Sequence, residues 1–287
     1  MLIEEHVSLG PKTTMHIGGQ ARYFIELRTQ KDLEEAWAFA QEKRLPLVLL
    51  GAGSNTIFFD GVIRAVVAHI VTMSMSVSDT HVTVEAGKTL ASLVAECAQL
   101  GLDCSALAGI PGTVGGAIFG NAGQGPTGTW IDAFIESVEI FEDGNWKTLP
   151  KSACGFAYRK SAFNKRHAVI WSALLRLPRR DTALIQADIA EALRKRREAQ
   201  IVSHTAGSCF KAAPDGTPAW KLIDAAGLRG TQVGGVQLSE KHANFLVNVK
   251  QGTYADAVAL VEKVRKTMAV PLEVEMRFVG ENGEANA

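Results

Sequence analysis

Between Gly109 and Gly123 the chain reads Gly-Ile-Pro-Gly-Thr-Val-Gly-Gly-Ala-Ile-Phe-Gly-Asn-Ala-Gly, six glycines around Pro111 and Asn121. One turn does not need so many. Glycine lets backbone lie directly against a bulky group and offers it bare N–H donors, so the segment predicts a loop that grips an anionic ligand. A second glycine loop, Leu50-Gly-Ala-Gly-Ser-Asn55, precedes it. Two such loops suit a ligand with several parts, such as phosphates joined to an aromatic ring system. The bland alternatives are a structural Ω-loop for the long segment and a plain tight turn for the short one. The short loop is not a dinucleotide fingerprint. Thr56 stands where a third glycine belongs, and Ile57-Phe-Phe-Asp-Gly61 turns instead of opening a helix.

The 287 residues suffice for two domains. Thirty basic side chains balance thirty acidic ones, which argues against nucleic acid or an anionic membrane surface as a partner. The start, Met1-Leu-Ile-Glu-Glu-His6, has neither the basic nor the apolar part of a signal peptide. Apolar runs such as Leu45 to Leu50 are too short to span a bilayer. Cys97, Cys104, Cys154 and Cys209 form no C-x-x-C pair, so no metal is expected. Reduced thiols in a cytoplasmic protein are the natural reading.

Periodicity predicts helices over Lys31–Lys43, Leu90–Leu100, Thr182–Ala199, Ala219–Ala226 and Tyr254–Met268. Strands are expected over Leu47–Leu50, His81–Glu85, His167–Leu177, Asn244–Val249 and Leu272–Val279. The segments Ile135–Phe141 and Trp146–Leu149 read as a hairpin turning at Asp143-Gly144. In the last strand Leu272, Val274, Met276 and Phe278 face one way, and Glu273, Glu275 and Arg277 the other. Pro178–Asp181 reads as a linker. The fold class is α+β, with a binding half before about residue 180 and a second α+β module after it.

Six motifs in order carry a resemblance. They are Thr13-Thr-Met-His-Ile-Gly-Gly19, the two glycine loops, Tyr158-Arg-Lys-Ser-Ala-Phe163, Ala206-Gly-Ser-Cys-Phe-Lys211 and Leu238-Ser-Glu-Lys-His-Ala-Asn-Phe-Leu-Val-Asn248. Across nearly its whole length the chain resembles the UDP-N-acetylenolpyruvoylglucosamine reductase (MurB) family, in its short form without a substrate-capping insertion. The resemblance implies a two-lobed FAD-binding domain of the vanillyl-alcohol-oxidase/PCMH type over 1–178, with lobes at about 1–70 and 71–178. A C-terminal substrate-binding domain would cover 185–287. It implies non-covalent FAD, NADPH as hydride donor and a UDP-sugar substrate, in a cytoplasmic protein that is a monomer or weak oligomer. The cofactor positions would be Leu50, Gly51, Ala52, Gly53, Ser54, Asn55 and Thr56 in one loop. In the other they would be Gly109, Ile110, Pro111, Gly112, Thr113, Gly115, Gly116, Asn121 and Gly123.

Reducing an enolpyruvyl group places negative charge on its carboxylate and then needs a proton at the adjacent carbon. By the resemblance Arg159 steadies the charge, Ser208 donates the proton and Glu275 is the catalytic carboxylate, with Glu273 as its rival. Tyr158, Arg159, Lys211 and Arg196 would touch substrate. Each has a plainer alternative, namely a surface arginine, a turn serine, a solvent-facing glutamate or a solvated helix face. His242 and Asn244 are as well explained by structure as by function. Three departures stand out. Ala212 replaces a family asparagine, Gln124-Gly-Pro-Thr-Gly128 alters a loop, and Gln200-Ile201 stands where Gln-Pro is common. The rivals are another oxidoreductase on the same flavin fold and a flavin- or nucleotide-binding protein without turnover.

Overall fold

The computed structural model describes residues 1–124, 128–199 and 204–286. Its contacts divide the chain into two compact units. One contains Met1–Ile25, Ala38–Ala68 and Ala199–Ala287, and the other Glu26–Trp37 and His69–Glu198.

The first unit holds three sheets. A four-stranded sheet runs Ile3–Ser8, Gln20–Leu27, Val62–Ile70, Leu47–Leu50. Its core gathers Leu9, Ala21, Phe24, Val48, Leu50, Phe58 and Ile63. A second sheet runs Thr205–Ser208, Phe245–Asn248, Val236–Leu238, Gln232–Val233. Helices Ala219–Ala225 and Tyr254–Thr267 contribute to its core, with Met15, Phe210, Ile223, Leu246, Leu260 and Met276 buried together. Full burial of a side chain such as Phe210 contributes about 1.5–3 kcal/mol. The long helix starts where a capping box of Thr253 and Asp256 satisfies its first N–H groups. Asp60 accepts two more, from Tyr254 at 2.7 Å and Ala255 at 3.3 Å. A small third sheet pairs Arg277–Val279 with Thr56–Phe58 in parallel and with Ala285–Asn286 antiparallel.

The second unit is built on a five-stranded antiparallel sheet, ordered Met75–Ser78, His81–Glu85, Ala168–Arg176, Ile135–Glu142, Asn145–Pro150. The expected hairpin is there. Asp143 (φ 51°) and Gly144 (φ 78°) are both left-handed, as a two-residue turn between twisted strands requires. Helix Leu90–Gln99 begins at Thr89, which accepts from the Ser92 N–H. Helix Thr182–Ala199 begins after Asp181, whose carboxylate accepts from Ala183 and Leu184 N–H. Among the described residues no helix is long and apolar enough to cross a membrane. None of them form a group of three or more metal-binding side chains.

Two expectations change. Leu272–Val279 is not one strand. Only Arg277–Val279 has ladder partners, with an isolated bridge at Val274 opposite Phe210. The inside-outside alternation survives, since Leu272 and Met276 are buried and Glu273 is exposed. Pro178–Asp181 is not a free linker either. Pro178 accepts from Asp103 N–H, Arg180 N–H donates to Gly101, and the Arg180 side chain pairs with Asp103 at 3.0 Å.

Candidate functional site

In the first unit, strand Leu47–Leu50 delivers the short glycine loop and Thr56–Phe58 takes it away. No backbone N–H from Gly51 to Asn55 donates to a described residue. These five donors, spaced by small residues, suit an anionic or hydrogen-bonding ligand. Gly53 is obligatory for a different reason. Its φ is +62°, and a Cβ there would lie 2.4 Å from the Lys12 carbonyl oxygen. The loop is anchored to the C-terminal strand. Arg277 N–H donates to Asn55 O at 2.9 Å, Asn55 Nδ2 to Glu275 O at 3.0 Å, and the Arg277 guanidinium to Leu49 O at 3.0 Å.

That strand also holds the Ser208 segment. Glu275 N–H donates to Cys209 O at 2.7 Å, so the glutamate sits across from the residue after Ser208. Burial, with the charge of Glu275 adding to it, pushes the Cys209 thiol up from its ordinary value. Ser208 lies past a register irregularity in its strand, beside Gly207 at φ +79°. Ser208 is half-buried, and its hydroxyl bonds to no described residue. Glu273 has a different task, since its carboxylate pairs with Lys211 Nζ at 2.7 Å and its carbonyl accepts from Lys211 N–H.

Asn244 underlies this geometry. It is 5% exposed, and its side chain accepts from Phe210 N–H at 3.0 Å and donates to Phe210 O at 2.8 Å. Its carbonyl accepts from Cys209 N–H at 2.7 Å. His242 is a turn residue, with Nδ1 facing the Asn244 N–H and its ring 4.5 Å from that of Phe245. Burial lowers its pKa.

In the second unit the long glycine loop feeds helix Val114–Phe119. Thr113 caps that helix, accepting from Gly116 N–H at 3.3 Å. The N–H groups of Gly109, Gly112 and Thr113 donate to no described residue. Gly116 is open, since a Cβ there would meet only Thr113 Oγ1 at 3.5 Å. Gly115 is closed, because the same atom would fall 2.8 Å from Ala86 Cβ. Asn121 is fully buried and ties the loop inward, donating to Ala157 O at 3.0 Å and accepting from Asp132 N–H.

Tyr158 and Arg159 form the tip of a tight turn closed by two reciprocal bonds between Ala157 and Lys160. Arg159 takes φ +52°, rare for a non-glycine residue. Its guanidinium donates to Gly123 O at 2.9 Å and lies 5.7 Å from the Tyr158 ring centroid. Arg196, in the last turn of helix Thr182–Ala199, lies over the other end of the glycine loop, at Gly109.

The candidate residues therefore collect in two sets. The first unit brings together the short loop, Ser208, Glu275 and Lys211. The second brings together the long loop, Tyr158, Arg159 and Arg196. Sequence reasoning missed Arg277, and it left Asn244 undecided. An arginine on the same face of the alternating segment as Glu273 and Glu275 was the available signal for the first. Gly125–Thr127 and Gln200-Ile201, where the chain departs from the family pattern, lie outside the described residues.

The pattern of an FAD-binding-domain family matches residues 21–149. That of the UDP-N-acetylenolpyruvoylglucosamine reductase C-terminal domain matches residues 199–279. A UDP-N-acetylenolpyruvoylglucosamine reductase of Shouchella clausii is 37% identical, over 98% of this chain and 92% of its own. One of Chlamydia muridarum is 36% identical, over 96% and 94%. The crystal structure of UDP-N-acetylenolpyruvylglucosamine reductase (MurB) from Thermus caldophilus is similar at a TM-score of 0.85 and 33% identity. It covers 97% of this chain and 99% of that one. By similarity along essentially its full length, the chain belongs to the UDP-N-acetylenolpyruvoylglucosamine reductase family.

Proposed function

We propose that this protein is the FAD-dependent, NADPH-consuming enzyme that reduces UDP-N-acetylenolpyruvoylglucosamine to UDP-N-acetylmuramate, a precursor of peptidoglycan. The full-length similarity to reductases of that name carries the reading. The bare N–H donors of both glycine loops support the cofactor. FAD, which the two glycine loops would hold without a covalent link, would supply the redox chemistry that carries hydride from NADPH to the vinyl carbon of the substrate. Residues 1–178 are assigned to FAD and 185–287 to the sugar nucleotide, in a cytoplasmic monomer or weak oligomer.

The chain's own residues manage charge and proton. Arg159, already aimed by Gly123 O, grips the substrate carboxylate as negative charge develops on it. Tyr158 flanks it, and Lys211, steadied by Glu273, meets the phosphates or ribose. Ser208 gives its hydroxyl proton to the carbon next to the carboxylate, and solvent restores it. A serine hydroxyl is a weak acid, so it can serve only where the acceptor is strongly basic, as an enolate is. Glu275, across the backbone bridge from Cys209, is the catalytic carboxylate of this set. The Ser208 hydroxyl, which bonds to no described residue, and the engaged Glu273 both favour this division of labour.

The test uses colour. The purified protein is expected to be yellow and to bleach with NADPH. It should regain its colour without oxygen when the enolpyruvyl sugar nucleotide is added. Recovery only with oxygen would favour another oxidoreductase on this fold, and no bleaching would favour a binding protein without turnover.

A further inference from the structure

Helix Thr182–Ala199 ends in Arg194-Lys-Arg-Arg197, a run that reads as a solvated basic face. Arg194 and Lys195 fit that description. Arg194 binds Glu191 at 2.8 Å and Glu198 at 2.6 Å, and Lys195 meets Glu191 at 3.3 Å. Arg196 differs. It is half-buried, and its guanidinium has no hydrogen bond or ion pair with any described residue. Its stem lies flat on Gly109. A Cβ added there would stand 2.5 Å from Arg196 Cδ and 3.1 Å from Nε. Gly109 also takes φ +72°, so its lack of a side chain serves both the turn and the arginine.

The neighbours make this arrangement costly without an anion. Burial and the charge of Arg159 both disfavour the protonated Arg196. In the loop that Gly109 opens, the N–H groups of Gly109, Gly112 and Thr113 have no acceptor among the described residues. Bare backbone donors in a loop whose first residue carries a half-buried guanidinium, with no partner among the described residues, are the chemistry of a phosphate site. The resemblance assigned Arg196 to substrate. Its contact with the first residue of the long glycine loop points elsewhere.

We propose that Arg196 is a cofactor residue, a guanidinium laid across Gly109 that holds the diphosphate of FAD against the long glycine loop. This rests on the FAD-binding reading of that loop. The shared chemistry is a diphosphate, which FAD and the UDP-sugar both carry, and the choice between them is measurable.

Apoprotein of wild type, Arg196→Ala and Arg196→Lys is titrated with FAD and, separately, with riboflavin, which has no phosphate, following flavin fluorescence. The KM for the enolpyruvyl sugar nucleotide is then read at saturating FAD. Arg196→Ala is expected to weaken FAD at least tenfold and riboflavin less than twofold. It should also flatten the salt dependence of FAD binding. Arg196→Lys, which keeps the charge but not the fork, should fall between. FAD affinity within twofold of wild type in both variants overturns the proposal. If the sugar-nucleotide KM also rises tenfold, the guanidinium belongs to the substrate's diphosphate. Equal losses for FAD and riboflavin overturn it in favour of a packing role. Should Arg196→Ala not fold, the lysine variant alone decides by the same FAD and riboflavin comparison. Wild-type apoprotein that binds no FAD would defeat the FAD reading itself, before Arg196 is at issue.

Discussion

The backbone N–H of Glu275 donates to the carbonyl of Cys209 at 2.7 Å. This bond fixes the glutamate one residue from Ser208, although 67 positions separate Ser208 and Glu275 in the chain (275 less 208). It forms at an irregular edge, where only an isolated bridge joins the two segments. The site is thus held by a few specific bonds and not by a continuous ladder, and each can be tested.

Asn244 supplies two of those bonds. Asn244→Ala leaves the Phe210 N–H and carbonyl, both buried, without partners. Each orphaned group costs about 1–3 kcal/mol. A fall of about 2–6 kcal/mol in unfolding free energy is expected in a urea titration. A midpoint shift worth less than about 0.5 kcal/mol would mean that water replaces both bonds.

Arg159 and Glu275 are expected to act on the reaction more than on binding. Arg159→Ala and Glu275→Gln should each lower kcat for the sugar nucleotide by roughly 10²-fold or more. KM should change much less, and NADPH should still bleach the flavin. A variant that raises KM with kcat unchanged would move that residue from chemistry to uniform binding.

Glu142 sets an acid limit on the second unit. Its carboxylate is held down to about 2 by bonds to Arg166 and Lys147, both at 2.7–2.8 Å. An unperturbed glutamate titrates near 4.3. The folded value is depressed, so the stabilisation is full above about pH 5 and is lost as pH falls toward 2. Glu142→Gln should therefore melt below wild type at neutral pH, and the gap in Tm should close between about pH 5 and 2. A gap that stays constant through that range would show that the charge of Glu142 is not what stabilises.

Much of this architecture is legible in the sequence. The hairpin at Asp143-Gly144 is local chemistry, because the turn residues and flanking apolar runs lie side by side. Helix Tyr254–Thr267 likewise carries its own capping box at Thr253 and Asp256. The strand Leu272–Val279 shows the limit. Its alternation reports which side chains are buried, but not how the backbone pairs: only the last three residues join a ladder, while Glu273 and Glu275 bond across the isolated bridge of Val274 to Phe210. Pro178–Asp181 reads as a linker by composition, yet its polar groups are spent on Gly101 and Asp103. The site is split in the same way. Glycine loops and the Ser208 and Arg159 motifs are written in consecutive letters. The clamp of Asn244 on Phe210, the tie of Arg277 to Leu49 and the seat of Arg196 on Gly109 join distant positions, and no local pattern announces them.

The central claim is that Ser208 supplies the final proton, and one variant tests it in two halves. Ser208→Ala removes an oxygen that bonds to no described residue, so the fold and the flavin should be kept. NADPH should bleach the variant about as fast as wild type, since that step needs no proton from Ser208. Reoxidation by the enolpyruvyl sugar nucleotide should fall at least ~10²-fold, the range expected for a lost general acid. Ser208→Cys should recover part of it. Equal effects on both halves, or none on either, measured anaerobically by stopped flow on one preparation, would contradict the assignment.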